Sequence, residues 1–370
     1  MWHQDVVVSH VLSTGHRRGA ETYAYELACE FGQAGLVQRF YFLRAGNREL
    51  DTPEGVDVCV PESGLLGRLR FLFAFRQRMR KSAGREVVVC HGLTPLKFVW
   101  ASSLFLRNRP RVVFQKIGFT LPWISRMRRL KIRLNRLILR SADVCLVLGD
   151  RQRHEVINEL GFSKNKVHLV PNARRMPSNL PTVRRAEDLI LVLGALSEEK
   201  QPLIALAVLK QIRDRGICAK LRFVGDGPMR LEVERLAQTT FGQGVVEVTG
   251  RVCDVWPHLC EATLLMLCSR TEGVPGVLVE AAFSGLPVVT WDVGDVASVV
   301  LNGVTGLVTP YGDVAGLRAA VERLLADEIV RERMGERARA QSSLFRIENA
   351  AEQTLQIIET LLRTGTDLRS

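Results

Sequence analysis

The chain has 370 residues, 46% of them hydrophobic and 24% charged, proportions that suit an ordinary globular protein with two cores rather than one. No apolar run reaches the length of a membrane span, since the best candidate, 87–106, is interrupted by His91, Pro95 and Lys97. The formal net charge of +12 is unevenly placed: residues 1–185 carry 32 Lys and Arg against 14 Asp and Glu, a net of +18, and the remainder 19 against 25, a net of −6. The first half therefore calls for an anionic partner, whether a membrane surface, a nucleic acid or a polyanionic substrate. Eight cysteines without a C-x-x-C pair, mostly in apolar runs, read as small buried hydrophobes of a reducing compartment. The start, Met1-Trp2-His3-Gln4-Asp5, has no export-signal pattern. Together these features lead us to expect a cytoplasmic protein.

In chain order, an apolar strand at Asp5–Val8 leads into the loop Ser13–Gly19 and an amphipathic helix over Ala20–Ala34 ended by Gly35. The loop lacks G-x-G-x-x-G, so no dinucleotide fingerprint is present. His10 and His16 read as loop residues. Further strands are expected at Arg39–Leu43, Val56–Val60, Val87–Cys90, Arg111–Phe114, Asp143–Leu148 and Lys166–Val170. Helical patterns separate several of them, which argues for a parallel sheet with ligands at the carboxyl ends of its strands. His91 stands at such an end, where an unselected histidine is more often a satisfied structural group than a site residue.

Leu65–Lys81 mixes Leu69, Phe71, Leu72, Phe73 and Phe75 with six cations, and Trp123–Arg140 places Met127, Leu130, Leu134, Leu137 and Ile138 among seven. Both read as basic amphipathic helices. The first suits an anionic membrane surface; the second divides evenly between that and a core-facing stripe with a solvated arginine face.

Prolines 171, 177 and 181 and the loss of periodicity mark 171–187 as a linker between a first domain, 1–170, and a second that opens with a strand at Asp188–Leu193. Strand-plus-turn units follow at Leu221–Pro228 and Val246–Val252, where Gly225 and Gly227 read as turn formers. A buried strand at Thr263–Cys268 then runs into Arg270–Val289, R-T-E-G-V-P-G-V-L-V-E-A-A-F-S-G-L-P-V-V. Gly273, Pro275 and Gly276 supply a turn, Val277–Phe283 a short helix closed by Ser284-Gly285, and Leu286–Thr290 the next strand. A glycine loop opening a helix offers free amides and a positive dipole end, an anion site that needs no basic side chain. Glu272 and Glu280 frame that loop. A carboxylate in the apolar run around Glu280 needs donors, which a ribose diol or a neighbouring loop would supply; Glu272 serves either a ligand or the helix N-terminus electrostatically. Helices at Val314–Ala326, Arg331–Gln341 and Asn349–Arg363 complete the chain.

The pair Glu272 and Glu280 with seven residues between, continued by Gly285-Leu286-Pro287-Val288-Val289, Gly294 and Gly303-Val304-Thr305-Gly306, resembles the signature of the retaining nucleotide-sugar glycosyltransferases of family 4. The resemblance covers most of the chain, and is strongest over Leu189–Leu325. It implies an α/β GT-B fold: two Rossmann-like parallel-sheet domains facing a cleft, 1–170 and 188–345, with a crossover helix in 346–370 returning to the first. It also implies roles. Glu272 and His91 would contact the transferred sugar, Glu280 the ribose, and the amides of the Gly273, Pro275, Gly276 and Val277 loop the phosphates. Lys200 would neutralise the diphosphate, the backbone at Arg251 and Val252 would read the base, and Arg18 and Gly19 would form a phosphate or acceptor loop. No metal and no cofactor is implied beyond the nucleotide-sugar donor.

Two positions depart from the pattern. Where the family carries two adjacent glycines before a glutamate, the chain reads Arg18-Gly19-Ala20-Glu21, and where it carries Gly-Arg-Leu the chain reads Gly194-Ala195-Leu196. Losing one of two diphosphate cations should cost on the order of 1.5–3 kcal/mol; Arg251, Arg18 and Arg174 are candidates to compensate.

The expected function is transfer of a sugar from a nucleotide diphosphate sugar to a saccharide or lipid-linked acceptor in cell-envelope polysaccharide or glycoconjugate synthesis, peripheral to an anionic membrane. The alternatives are a catalytically weak nucleotide-sugar binder or partner subunit, a basic nucleic-acid-binding module, and a nucleotide-sugar epimerase. The Glu272–Glu280 pair argues against nucleic acid.

Overall fold

A computed structural model describes residues 6–15, 19–44, 56–82, 85–106, 108–119 and 129–366. The chain divides into two compact units, one of residues 1–175 with 347–370 and one of residues 176–346.

The first unit is built on seven parallel strands, β1 (Val7–Leu12), β2 (Val37–Phe42), β3 (Asp57–Cys59), β4 (Glu86–His91), β5 (Arg111–Gln115), β6 (Val144–Val147) and β7 (Val167–Leu169), in the order β3-β2-β1-β4-β5-β6-β7. Strands such as Val87-Val88-Val89-Cys90 are apolar without alternation because helices cover both faces. On one face α1 (Gly19–Gln33) packs Tyr23, Leu27 and Phe31 over Val8, Val87, Val89 and Val113. On the other, α2 (Gly64–Lys81), α3 (Leu93–Ser103) and α4 (Arg129–Arg140) bring Phe75, Met79, Leu96, Val99, Ile138 and Leu139 against Val88, Cys90, Val112 and Phe114. A short helix, α5 (Asp150–His154), leads through a π-helical turn at Glu155–Glu159 to β7.

The first strand differs from expectation. It does not stop at Val8 but runs to Leu12, because its polar members are paired: the Ser9 hydroxyl donates to Glu86, and His10 lies between Gln38 and His91. His10 is thus a fully buried strand residue rather than a loop residue, while His16 lies outside the described residues. On α4 the apolar stripe also falls elsewhere than expected, since Leu134 and Leu137 are exposed and Asn135, Ile138 and Leu139 face inward; Met127 lies outside the described residues. Of the cysteines, 90, 145, 260 and 268 are buried and 218 and 253 exposed, all as free thiols.

The second unit has six parallel strands, β8 (Leu189–Leu193), β9 (Lys220–Val224), β10 (Val246–Val248), β11 (Leu264–Leu267), β12 (Val288–Trp291) and β13 (Gly306–Thr309), in the order β10-β9-β8-β11-β12-β13. Its helices are α6 (Pro202–Arg213), α7 (Arg230–Phe241), α8 (Trp256–Glu261), α9 (Gly276–Phe283), α10 (Val314–Ala326) and α11 (Glu328–Gln341). The last helix, α12 (Ile347–Thr366), belongs to the first unit, where Ile347, Ala350, Ala351 and Ile358 join the core beneath α1 and the Ile347 amide donates to the Arg174 carbonyl at 3.1 Å.

Both sheets are doubly wound, and each reverses strand order once. The chain leaves in opposite directions on either side of β1 and β4 in the first sheet and of β8 and β11 in the second. Loops diverge there and leave a crevice at the strand C-termini, the place where open α/β sheets take ligands. In the first sheet Gly19 opens the helix after β1 and His91 ends β4; in the second the loops after β8 and β11 carry Lys200 and Glu272.

Candidate active site

In the second unit the β8 loop is held by a glycine-dependent stack of backbone on backbone. Gly194 donates to the Val224 carbonyl at 2.9 Å, Leu196 to the Asp226 carbonyl at 3.1 Å, and Met229 to the Leu196 carbonyl at 2.9 Å. A Cβ at Gly225, whose φ is +144°, would stand 1.9 Å from the Gly194 carbonyl oxygen, so the two loops can touch only through glycine. The loop then turns at Ser197, whose carbonyl accepts from the amides of both Lys200 and Gln201 at 3.0 Å. This leaves Lys200 just ahead of Pro202, the first residue of α6.

The β11 loop comes back alongside. The Arg270 amide donates to the Glu199 carbonyl at 2.7 Å, and the Gly273 carbonyl accepts from the Asp295 amide at 2.9 Å. Two residues separated by 72 positions thereby meet: Lys200 Nζ lies 2.5 Å from Glu272 Oε1. Their side chains are 29% and 10% exposed, so the pair lies at the rim of the sheet and remains open to an incoming anion. Glu272 does not cap α9. The N-cap residue is Pro275, with no side-chain cap and no acidic residue in the first turn, which leaves the first-turn amides at Gly276 and Val277 without side-chain compensation. The Lys200–Glu272 pair thus meets on the loop that leads into an uncapped helix start, a setting suited to a phosphate-bearing ligand.

Gly273, Gly276 and Val277 are half-buried and Pro275 is buried. Glu280 is half-buried too, because the apolar run around it turns Leu278, Val279, Ala281 and Ala282 inward instead. Its backbone carbonyl accepts from the Ser284 amide and hydroxyl, and Gly285, at φ +60°, closes the helix as expected. Arg251 is exposed and Val252 half-buried in the loop that follows the Gly225–Gly250 bridge. Ala195 is exposed on the β8 loop. Of the cations considered as substitutes for the arginine absent there, Arg174 is committed within the first unit. It is buried and donates to Asn172 Oδ1 at 3.2 Å and to the carbonyls of Ala173 at 2.8 Å and Gly19 at 3.3 Å. Arg18 lies outside the described residues.

In the first unit, His91 ends β4 with 3% of its surface exposed, and its Nε2 lies 3.0 Å from His10 Nδ1. Burial and the neighbouring His10 hold the His91 imidazole well below its ordinary value, and burial brings His10 down to about 4 despite the opposing pull of Gln38. Both rings are neutral near pH 7. Gly19 opens α1, and Glu21 in its first turn accepts from the Thr14 hydroxyl at 3.4 Å. Sequence reasoning missed His10 and Gln38. The signal was the period-two run Val8, His10, Leu12, which places His10 on the inner face.

Among the described residues no group of three or more His, Cys, Asp or Glu is placed to hold a metal ion.

Twin doubly wound sheets, the second bearing a lysine–glutamate pair beside a bare helix N-terminus, define a GT-B transferase. Two family models match, "Glycosyl transferase 4-like domain" over residues 18–173 and "Glycosyl transferases group 1" over 187–327. The chain belongs to the family 4 glycosyltransferases. It is 27% identical over 303 residues to alpha-D-kanosaminyltransferase of Streptomyces kanamyceticus, spanning 74% of this chain and 76% of that protein. It is 29% identical to GalNAc-alpha-(1->4)-GalNAc-alpha-(1->3)-diNAcBac-PP-undecaprenol alpha-1,4-N-acetyl-D-galactosaminyltransferase of Campylobacter jejuni, over 46% of this chain and 48% of that one. Among solved structures, HepE of Anabaena in complex with UDP superposes with a TM-score of 0.78 at 16% identity, covering 96% of this chain and all of that one. That likeness shows the shared fold.

Proposed function

We infer that the protein transfers a sugar, with retention of anomeric configuration and without a metal ion, from a nucleoside diphosphate sugar to a saccharide or lipid-linked acceptor of cell-envelope or glycoconjugate synthesis. The observation that carries this is the meeting of Lys200 and Glu272 at the second sheet's switch point, beside the uncapped start of α9. When a donor enters, its diphosphate takes over Lys200 and the amides at Gly276 and Val277, freeing Glu272 for the transferred sugar. Glu280 holds the ribose, the backbone at Arg251 and Val252 contacts the base, His91 takes a sugar hydroxyl, and Gly19 belongs to the acceptor loop. Charge building on the leaving diphosphate meets a preformed cation and dipole, the main source of rate. The C. jejuni relative, named for an undecaprenol-linked glycan, supports a lipid-linked acceptor. The test is turnover of a panel of UDP- and GDP-sugars with EDTA present, the anomer of the product being read by NMR. Activity with one donor and a retained anomer is expected; an inverted product or strict metal dependence would overturn the reading.

One observation favours a second reading, a nucleotide-sugar binder with little activity: the missing cation at Ala195. Because Ala195 is exposed, an arginine there meets no packing penalty. Ala195→Arg should therefore raise kcat/KM for the donor about tenfold, the weight of one charge-assisted hydrogen bond. Donor binding by calorimetry without turnover in either protein would establish the second reading.

Peripheral membrane attachment belongs to the same proposal. Leu65, Leu66, Leu69 and Phe73 leave α2 exposed, Leu65 at 74% and Phe73 at 61%, among the exposed cations Arg68, Arg70, Arg80 and Lys81. Beside them Arg76 donates to the Ser102 and Leu104 carbonyls, next to Phe105, whose ring is 98% exposed on a backbone at φ +63°. No described helix is long and apolar enough to cross a membrane. Apolar side chains set among cations suit an anionic lipid surface. The protein should sediment with vesicles containing phosphatidylglycerol and not with pure phosphatidylcholine, and Phe73→Ser should weaken that binding about tenfold. Equal binding to both vesicles would remove the electrostatic part of the argument.

A further inference from the structure

A chain of hydrogen bonds crosses the inner face of the first sheet and ends at His91. Gln38 Nε2 lies 3.2 Å from the Leu36 carbonyl oxygen. A backbone carbonyl can only accept, so the amide nitrogen faces it and Oε1 is turned the other way. Gln38 Oε1 lies 3.0 Å from His10 Nε2, which must then carry the proton. A neutral His10 is left with a lone pair at Nδ1, and that atom lies 3.0 Å from His91 Nε2. His91 Nε2 therefore donates, and His91 Nδ1 holds a bare lone pair. Among the described residues that Nδ1 is buried and has no hydrogen-bond partner. In register with His91 on β5, Gln115 is buried as well, with neither side-chain amide atom partnered. Buried polar atoms in native proteins are normally satisfied, so unmet acceptors and a donor on neighbouring strands, at the carboxyl edge beside a switch point, mark a place for a polar ligand group.

We propose that Gln38 and His10 are positioning residues that lock His91 in its Nε2–H tautomer, so that Nδ1 serves as an acceptor for a hydroxyl of the sugar substrate. The proposal rests on the reading of His91 given above. His10 is held in place by rings: it stacks on Phe40 at 4.8 Å between centroids and lies 6.1 Å from Phe31. The Leu36 carbonyl sets the direction of the whole chain. Remove Gln38 and both rings can exchange tautomers together, which turns His91 Nδ1 into a donor for part of the time.

The test is nitrogen NMR of protein labelled at histidine, paired with donor kinetics. In the wild type, His91 Nδ1 should give a pyridine-type signal. Gln38→Leu and His10→Phe, the second keeping the ring stack, should mix the tautomers and lower kcat/KM for the donor about fivefold, the weight of one neutral hydrogen bond. His10→Gln keeps an acceptor toward His91 and a donor toward Gln38, and should restore both the signal and the rate to within about twofold of wild type. A protonated Nδ1 in the wild type, or an unchanged tautomer in Gln38→Leu and His10→Phe, overturns the relay. A shifted tautomer with an unchanged rate overturns its positioning role. The NMR arm needs no turnover, so a wild type inactive with every donor would defeat the assigned function while the tautomer result still decides the relay.

Discussion

Lys200→Ala should lower kcat by on the order of 10²–10³ while leaving the melting temperature nearly unchanged. The stability half follows from exposure. Lys200 and Glu272 are bonded at 2.5 Å with side chains 29% and 10% exposed; at this rim the glutamate left alone can turn toward water, so the loss stays near the roughly 0–1 kcal/mol of pairs open to solvent. The rate half follows from position and from what is missing. A cation aimed at a leaving diphosphate acts where charge develops, and removing one such preorganised group typically costs about 10²–10³. With alanine at 195, the β8 loop offers no arginine to share that task. The same logic predicts coupling: in an Ala195→Arg background, Lys200→Ala should cost less than it does alone, because the two cations act on one group. A fall confined to donor affinity, with kcat within threefold, would make Lys200 a ground-state binder only. A loss of stability matching the loss of rate would make the pair structural.

That lysine was readable from the sequence only through resemblance; its pairing with Glu272 was not readable. Spacing placed Glu272 next to a glycine turn and offered helix capping as one of its uses, whereas the fold spends it on a residue 72 positions away. The local elements were legible because they are local. The run Val87–Cys90 needs both faces covered, the Pro275-Gly276 turn opens a helix, and Gly285 ends it. Legibility failed where a polar residue sits in a strand with a distant partner. Ser9 and His10 look like the end of an apolar strand, and only Glu86, Gln38 and His91, brought in by the sheet, make them strand interior. The stripe on α4 shifted for a related reason. Leu134 and Leu137 stand in solvent while Ile138 and Asn135 go inside, so the residues read as one stripe, for which the sequence left a membrane and a core use equally open, are divided between two faces. The cation-rich run 65–81 was legible as a helix by its composition, and α2 does expose Arg68, Arg70, Arg80 and Lys81.

Gly294→Ala should cost about 10²-fold in kcat from a position that carries no reacting group. Gly294 lies at φ +58°, in the left-handed region, and an added Cβ would stand 2.1 Å from the Glu272 carbonyl oxygen and 2.8 Å from that of Gly273. The first feature alone costs roughly 1–2 kcal/mol for a residue with a Cβ. The second cannot be relieved by a side-chain rotation, because both obstructing atoms are backbone. The Glu272–Gly273 segment must move, and with it the 2.9 Å bond from the Asp295 amide to the Gly273 carbonyl and the placing of the Glu272 side chain against Lys200. Displacement of a substrate-contacting group by about 1 Å is enough for a 10²-fold loss. Gly216→Ala is the matched control, since Gly216 has φ +87° but open space around its missing Cβ. It should show a similar conformational destabilisation by calorimetry with kcat within twofold of wild type. Equal losses of rate in the two variants would mean that stability, rather than the position of Glu272, limits the reaction. A fully active Gly294→Ala would mean that Glu272 can shift without consequence, and its contact with the transferred sugar would have to be given up.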